Sequence, residues 1–360
     1  MTTRRDLLRL APLLATPALA ACGAGADYES AVAATWRHAD AAPSEAMAMQ
    51  RELVRYATLA ANSHNTQPWR FDLLPGAIVI RRDGSRRTPV ADPDDHHLWA
   101  SLGCAVENLV QAAAAFGQRA TLGLAGDRIV VQLDATAAQR TPLFEAIVQR
   151  QCTRADYDGS AVSAADLRAL EEAAHAPGLR LIVITDKPRV ENVVEFVAQA
   201  ASAQMQDPRF VTELKQWVRF SSAEALASRD GLFSHVGGNP VLPRWLGSLM
   251  FGFVATPKGE SDRYARQIRS SSGIAVFVSE RSEPASWIEA GRAYQRFALQ
   301  ATALGLRNAF VNPPVEMAVL RSQFGSWLDL GGARPDFIVR FGRGPVMPRS
   351  LRRPLAEVIG

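Results

Sequence analysis

Cysteine and clustered positive charge are both scarce in this chain. Cys22, Cys104 and Cys152 are its only cysteines. The last two could pair in an oxidising compartment, but each lies in a helical pattern, which favours two small buried thiols. The formal net charge is +4, of which +2 belongs to residues 1–21. No run of lysine and arginine has interleaved aromatic residues, so the composition argues against a nucleic-acid-binding surface.

Motifs of several common enzyme classes are also missing. The sequence contains no Gly-x-Ser-x-Gly elbow and no Walker-type loop. Gly23 and Gly25 have no strand before them, so they are not a dinucleotide fingerprint. The pair His96-His97 follows three aspartates within residues 92–95. We interpret this group as a polar surface with acidic residues near a helix start, and we predict no metal site.

The composition that is present is that of a sizeable globular protein. The chain has 360 residues, of which 48% are hydrophobic and 21% charged. This is neither a disordered nor a fibrous composition. It is enough to bury a substantial core in one large domain or two.

The first 21 residues have the layout of an export signal. Arg4-Arg5 stands before an apolar run, Leu10–Ala21, that ends in small residues. The arginine pair resembles a twin-arginine signal. Leu19–Cys22 resembles a lipobox in which Cys22 would carry the lipid, with ordinary cleavage after Ala21 as the alternative. Residues 22–43 are interpreted as a tether, so we expect a periplasmic, membrane-anchored lipoprotein.

A polar turn, Thr58–Phe71, joins an amphipathic helical run at Ser44–Ala61 to a strand-like run at Phe71–Ile80. Pro68 ends any helix there, and Trp69 offers a large packing surface. The turn's short hydrogen-bonding side chains are Asn62, Ser63, Asn65, Thr66 and Gln67. Such a turn suits a polar, planar ligand, although a well-capped loop explains the residues alone equally well.

The run Ser63-His64-Asn65-Thr66-Gln67-Pro68-Trp69 resembles the Ser-x-Asn-x-Gln-Pro-Trp signature of the nitroreductase superfamily. More closely, the chain resembles the exported, internally duplicated branch of Acg-type FMN-binding oxidoreductases. In that superfamily the side chains of the turn hydrogen-bond the flavin ring and ribityl chain. The resemblance therefore implies FMN as the cofactor and Ser63, Asn65 and Gln67 among its ligands.

Two helical runs occur in similar surroundings. Leu98–Phe116 has apolar residues at helical spacing and ends at Gly117, and Trp287–Leu304 ends in the same way at Gly305. Each lies between strand-like segments. We therefore predict an α+β, nitroreductase-like fold, internally duplicated as a pseudo-dimer of two sheet-plus-helix halves at 44–140 and 141–360. Two unrelated helices in one α+β domain are the alternative.

The phosphate ligands implied by the resemblance lie in the second half. Leu143–Arg154 resembles the family's opening helix and its Arg-x-x-(Ser/Thr)-Arg element, which places Arg150, Thr153 and Arg154 on the match. Ser350–Ile359 resembles the terminal Arg-Pro-Leu-Glu-Glu-Val segment, with Arg353 the best match to a phosphate ligand and Arg352 the second. Guanidinium groups suit phosphate because their planar fork pairs two oxygens at once. Gln151 departs from the family pattern and leaves open which arginine binds.

The resemblance implies an FMN-dependent oxidoreductase that carries out hydride chemistry at flavin N5 on small quinone- or nitro-type acceptors. It implies one flavin site per chain and a monomer that mimics a family dimer. No catalytic residue is predicted, because the protein's part is to bind and orient the flavin. A non-catalytic FMN-binding or storage lipoprotein is the alternative, and a flavin-free ligand-binding lipoprotein is a third. Residues 207–263, rich in aromatic side chains, are predicted to be an insertion that forms a flap or packs in the core.

Overall fold

The computed structural model describes residues 25–360, so Arg4, Arg5 and Cys22 lie outside the described residues. Residues 25–35 form a helix, α1, where the sequence analysis expected a tether. Tyr28 is buried, its ring centroid lies 4.8 Å from that of Phe233, and its hydroxyl donates to the carbonyl of Arg349. The structure thus differs from the expected tether over residues 25–43, because aromatic side chains there pack on the protein body.

The first sheet is antiparallel and follows helix α2. Its elements are α2 (Ala46–Thr58), β1 (Trp69–Leu74), β2 (Ala77–Arg82), α3 (His96–Ala115), β3 (Gln118–Ala125) and β4 (Arg128–Ala135). The strand order is β1-β2-β4-β3. Ile78 and Ile80 of β2 are fully buried beneath the helices. Strand β3 was not predicted, because it lies at the edge and most of it is exposed.

A largely helical stretch follows before the second sheet is completed. It comprises α4 (Pro142–Ala146), α5 (Ala164–Ala174), β5 (Leu179–Ile184), α6 (Lys187–Gln206), α7 (Pro208–Trp217), β6 (Val218–Arg219), α8 (Ser222–Ser228), β7 (Leu232–Phe233), α9 (Arg244–Val254) and α10 (Pro257–Arg269). The predicted insertion at 207–263 runs from α7 into α10. Proline near the start of α4, α6, α7 and α10 fits the first turn of a helix, where its missing N–H costs nothing.

The second sheet is also antiparallel. Its remaining elements are β8 (Gly273–Ser279), α11 (Pro284–Ala303), β9 (Arg307–Phe310), α12 (Pro313–Glu316), α13 (Ala318–Trp327), β10 (Arg334–Gly342) and α14 (Leu355–Val358). The strand order is β5-β8-β10-β9. Every residue of β8 is buried. Its apolar run, Ile274–Val278, is one of the strand-like segments predicted beside the second helical run. The predicted α+β class is confirmed.

Both sheets have the same strand order when their strands are numbered within each sheet: first, second, fourth, third. In both, a 20-residue helix joins the second strand to the third. These two helices, α3 and α11, cross at a pair of glycines. A Cβ on Gly103 would lie 2.0 Å from the carbonyl oxygen of Ile288, and one on Gly291 would lie 2.0 Å from that of Ala100. Only glycine permits so close a backbone contact.

The contacts between these helices are reciprocal. Positions 100 and 288, and positions 103 and 291, are each 188 residues apart. The same spacing relates Glu107 to Gln295 and Asn108 to Arg296. Arg296 donates to Glu107 (3.0 Å), and Gln295 donates to Asn108 (2.7 Å). Each contact is therefore repeated with the two helices exchanged, as in a two-fold interface.

The end of the chain returns to the first sheet. Ile359 forms a parallel bridge with Phe71, and the Gly360 N–H donates to the Phe71 carbonyl (2.9 Å). This return carries Leu351–Arg353 past the Ser63–Trp69 turn. Within residues 25–360, no helix combines the length and hydrophobicity needed to cross a bilayer.

Candidate functional site

The Ser63–Trp69 turn has an unusual backbone. His64, Asn65 and Gln67 have positive φ angles of 49°, 52° and 53°. Left-handed conformations cost free energy for residues other than glycine and persist only where surrounding contacts hold them. Here the Gln67 N–H donates to Asn62 Oδ1 (2.8 Å), and the Ser63 N–H donates to the hydroxyl of Ser101 (3.2 Å). Strain held in this way is typical of functional sites.

The side-chain amides of Asn65 and Gln67 hydrogen-bond two other segments of the chain to the turn. Asn65 Nδ2 donates to the carbonyls of Gly231 (3.1 Å) and Leu351 (3.3 Å). Gln67 Nε2 donates to the Arg229 carbonyl (2.9 Å), and its Oε1 accepts from the Arg353 N–H (2.8 Å). The turn therefore positions both the loop at 229–231 and the chain end.

A cavity of about 290 Å³ lies beside this turn. A water occupies ~30 Å³ in the liquid, so the space suits a larger molecule. Five of the predicted cofactor ligands line it, namely Ser63, Asn65, Arg150, Arg154 and Arg352. The other three, Gln67, Thr153 and Arg353, do not. The lining draws on both halves of the chain and on Phe210 and Phe233 of the predicted insertion.

Three arginines of the cavity lining lie close together: Arg150, Arg349 and Arg352. Arg150 and Arg352 are buried, and their guanidinium groups donate to carbonyls: Arg150 to Leu59 (3.0 Å) and Arg352 to Thr58 (2.6 Å). Arg352 also donates to Asn65 Oδ1 (3.0 Å). Within residues 25–360, none of the three pairs with a carboxylate, and Arg150 Nε has no hydrogen-bond partner.

Trp36 braces this cluster. The guanidinium carbons of Arg349 and Arg352 each lie 4.9 Å from its ring centroid, and Trp36 Nε1 donates to the Ser350 carbonyl (2.8 Å). Burial, followed by the charge of Arg150, lowers the pKa of Arg352 to about 9 and that of Arg349 to about 10. Buried charges are normally paired, so this cluster is suited to an anion.

Sequence reasoning missed Trp36 and Arg349. Trp36 stood in the predicted tether, and Arg349 lies just before the segment matched to the family. A tryptophan in an alanine-rich segment that is otherwise poor in large apolar side chains was the available signal.

The other predicted phosphate ligands have different surroundings. Arg154 also lines the cavity. Burial opposes its charge, but Cys152, Tyr264 and Glu260 raise its pKa above the ordinary value. Arg353, the preferred match, does not line the cavity. Its Nε donates to Glu357 (3.2 Å), and its Nη1 lies 3.8 Å from Asp83.

Thr153 and the two cysteines are the remaining residues that the sequence analysis singled out. Thr153 is fully buried, its N–H donates to the Asn308 carbonyl (2.9 Å), and its Oγ1 has no partner within residues 25–360. Cys104 and Cys152 are both free thiols, as predicted, with Cys152 half-buried. Cys152 forms a bridge with Asn308 rather than part of a helix.

A buried group of acids and histidines lies beside the cavity. His97 and Glu316 line it, with His97 Nε2 3.7 Å from Glu316 Oε1, and Gln204 donates to the same carboxyl (2.6 Å). Burial, followed by the neighbouring His96, lowers the pKa of His97 to about 3, and burial raises that of Glu316. His96 Nε2 lies 2.8 Å from Asp336 Oδ1.

The polar-surface interpretation of His96-His97 is therefore wrong. Both side chains are buried because β10 and α12, distant in sequence, fold over the start of α3. Across residues 25–360 there is no group of three or more His, Cys, Asp or Glu side chains that could hold a metal.

No protein-family model matches the chain. Chains from two strains of Mycobacterium tuberculosis, each provisionally named an NAD(P)H nitroreductase, are 25% identical over 322 residues, which is 86% of this chain and 90% of theirs. Among solved structures, an FMN-dependent nitroreductase from Mycobacterium smegmatis in complex with NADPH has a TM-score of 0.40 at 16% identity, over 60% of this chain and 96% of that one. A nitroreductase with bound FMN from Bacteroides fragilis has a TM-score of 0.36 at 14% identity, over 59% and 95%.

These TM-scores are below 0.5, so the relationship rests on sequence. The similarity to the mycobacterial chains extends over most of both lengths. The Ser63–Trp69 motif points independently in the same direction. Together they support the nitroreductase superfamily as the family of this chain.

Proposed function

We propose that this chain is an FMN-binding oxidoreductase of nitroreductase type. The observation that carries the proposal is the cluster of Arg150, Arg349 and Arg352, which has no carboxylate partner and lies beside the strained turn. A dianionic phosphate would supply the missing counter-charge, and the unpartnered Arg150 Nε offers it a donor. The donor set therefore fits the phosphate end of FMN.

The chain's own residues divide the work of binding. Arg150, Arg349 and Arg352 would supply the positive charge that holds the phosphate. The turn would present the Ser63 hydroxyl to the cavity, while the Asn65 amide keeps Arg352 and the carbonyls of Gly231 and Leu351 in place. When bound, FMN would supply two-electron chemistry at flavin N5 toward small quinone- or nitro-type acceptors. His97 and Glu316, which pair in the cavity lining, can hold a proton there.

We further propose that the two halves arose by duplication and pack as two family subunits do. The identical strand orders and the reciprocal contacts at Gly103 and Gly291 support this. The strained turn belongs to one half and the arginines to the other, so one flavin per chain follows. Light scattering on the flavin-loaded protein should then give a monomer with one FMN. A dimer that needs two chains to hold one FMN would contradict it.

Export and lipidation are proposed from the leader sequence. A Cys22→Ser substitution should release the protein from the membrane, and lysines in place of Arg4-Arg5 should hold it in the cytoplasm. Finding the wild-type protein soluble in the cytosol with residues 1–21 still attached would contradict this proposal.

The activity is tested by loading and turnover. Purified protein should be yellow, or become yellow with added FMN. Protein that stays colourless after incubation with FMN would contradict both the oxidoreductase and the flavin-storage functions. Phe210, Leu232, Phe233 and Val236 of the 207–263 segment line the cavity, so bulky donors should reach it poorly. We expect slow oxidation of NADH and NADPH with a quinone acceptor by wild type, and faster oxidation after this segment is shortened. Fast wild-type turnover would contradict the covering role of the segment, and no turnover in either form would favour flavin storage.

A further inference from the structure

Helix α9, Arg244–Val254, carries an exposed apolar face. Trp245, Leu249 and Phe253 are 71%, 62% and 75% exposed, and Met250 lies beside them. The first three are spaced by four residues, so they form one stripe along the helix. A cluster of large apolar side chains in contact with solvent marks an interaction surface rather than an ordinary helix face.

The opposite face fixes the helix to the body. A Cβ on Gly247 would lie 2.5 Å from the ring of Phe220, and Phe251 packs edge-on against the same ring at 6.1 Å. The exposed stripe is therefore directed outward by packing on the other side.

The charges around this stripe suit a lipid surface. Residues 231–259 contain no aspartate or glutamate, and their only Lys or Arg side chains are Arg244 and Lys258. These two pair with Glu224 and Asp262, so the region is close to neutral overall. No carboxylate of this run would face an anionic headgroup, and the apolar side chains would supply most of the binding free energy.

The composition of the stripe favours lipid. Its exposed side chains offer on the order of 500 Å² of apolar surface, and Trp, Leu and Phe on one face are typical of helices that lie in the membrane interface. An 11-residue helix is ~16 Å long, far short of the ~30 Å hydrocarbon core. We propose that α9 lies in the surface of a phospholipid membrane, with Trp245, Leu249 and Phe253 inserted among the acyl chains.

Tryptophan quenching tests this on the full chain. The protein is bound to vesicles of phosphatidylglycerol and phosphatidylethanolamine whose acyl chains carry bromine, which quenches only tryptophans inside the lipid. The leader contains no tryptophan, so its own binding to the vesicle adds no signal. We expect Trp245→Phe to remove more than half of the quenchable emission and Trp327→Phe to leave it unchanged.

A second pair of variants tests the whole stripe. Leu249→Ser with Phe253→Ser should lower the quenching of Trp245 at least threefold, whereas Val319→Ser with Val346→Ser, at two other exposed apolar positions, should not. Added salt should change the quenching little. The proposal is overturned if wild type shows no quenching, if quenching survives Trp245→Phe, or if the protein is a dimer that the Leu249 and Phe253 changes dissociate.

Discussion

The two sheets share a strand order but supply different parts of the candidate site. The first half provides the strained turn around His64 and Asn65, and the second provides Arg150, Arg349 and Arg352. Neither half of the chain holds both sets. The comparison teaches that two halves with the same strand order can line a single cavity when each contributes different side chains.

The crossing of α3 and α11 should give the largest effect, because both halves depend on it. Gly103→Val and Gly291→Val would each place a side chain where a backbone oxygen lies 2.0 Å from the added Cβ. Each should lower the free energy of unfolding by about 3 kcal/mol or more, since the backbones must separate. Chemical denaturation measures the loss.

Gly123→Ala is the matched control, because a Cβ there meets nothing within 4 Å. It should leave stability almost unchanged. If one Gly→Val variant lost much of its unfolding free energy and the other lost none, the two helices would not be equivalent at the crossing.

The next largest effect is expected at Arg352, one of two neighbouring arginines near the chain end. Arg352→Ala removes a buried positive charge from the cavity, together with hydrogen bonds that hold Asn65 and the carbonyls of residues 58–60, and should cost about 1.5–3 kcal/mol of FMN affinity. Arg353→Ala should leave that affinity nearly unchanged, because Arg353 contacts Glu357 and Asp83 instead. Calorimetric titration with FMN separates the two. An equal loss of FMN affinity in both variants would show that Arg353 also contributes to phosphate binding.

Acidification tests the contact between the halves through His97, which meets Glu316. The pKa of His97 is lowered from 6.5 to about 3, chiefly by burial. Between those values the unfolded chain binds a proton that the folded protein does not, so stability is lost as the pH falls from 6.5. At pH 5 the loss is about 2 kcal/mol.

His97→Gln should remove that share of the pH dependence, and comparison with wild type cancels the contributions of other groups. Unfolding free energies at neutral pH and at pH 5 provide the measurement. An unchanged slope in the variant would show that His97 is charged in the folded protein.

Trp36 should give the smallest effect, because it acts through the arginines. Trp36→Ala removes two cation–π contacts at 4.9 Å and should weaken FMN binding by about 1 kcal/mol. Trp36→Phe keeps a ring and should recover most of this. If Trp36→Ala binds FMN as tightly as wild type, Trp36 does not contribute to positioning the arginine cluster.

The sequence predicted local features better than distant contacts. Apolar spacing located α3 and α11, and β8 read correctly as a buried strand. The burial of His96 against Asp336 was missed because the two are 240 residues apart, and no local pattern shows such a contact. Arg352 and Arg353 are neighbours in sequence, and family matching ranked Arg353 first although Arg352 is the one that lines the cavity. That choice is made by Glu357 and Asp83, which hold Arg353 elsewhere.

The central claim is that the arginine cluster binds the phosphate of FMN, one molecule per chain. Calorimetric titration of the flavin-free protein with FMN and with riboflavin, which lacks only the phosphate, tests it most directly. The account predicts one FMN per chain and riboflavin binding at least tenfold weaker, since a factor of ten corresponds to ~1.4 kcal/mol. Equal affinities for FMN and riboflavin would contradict it.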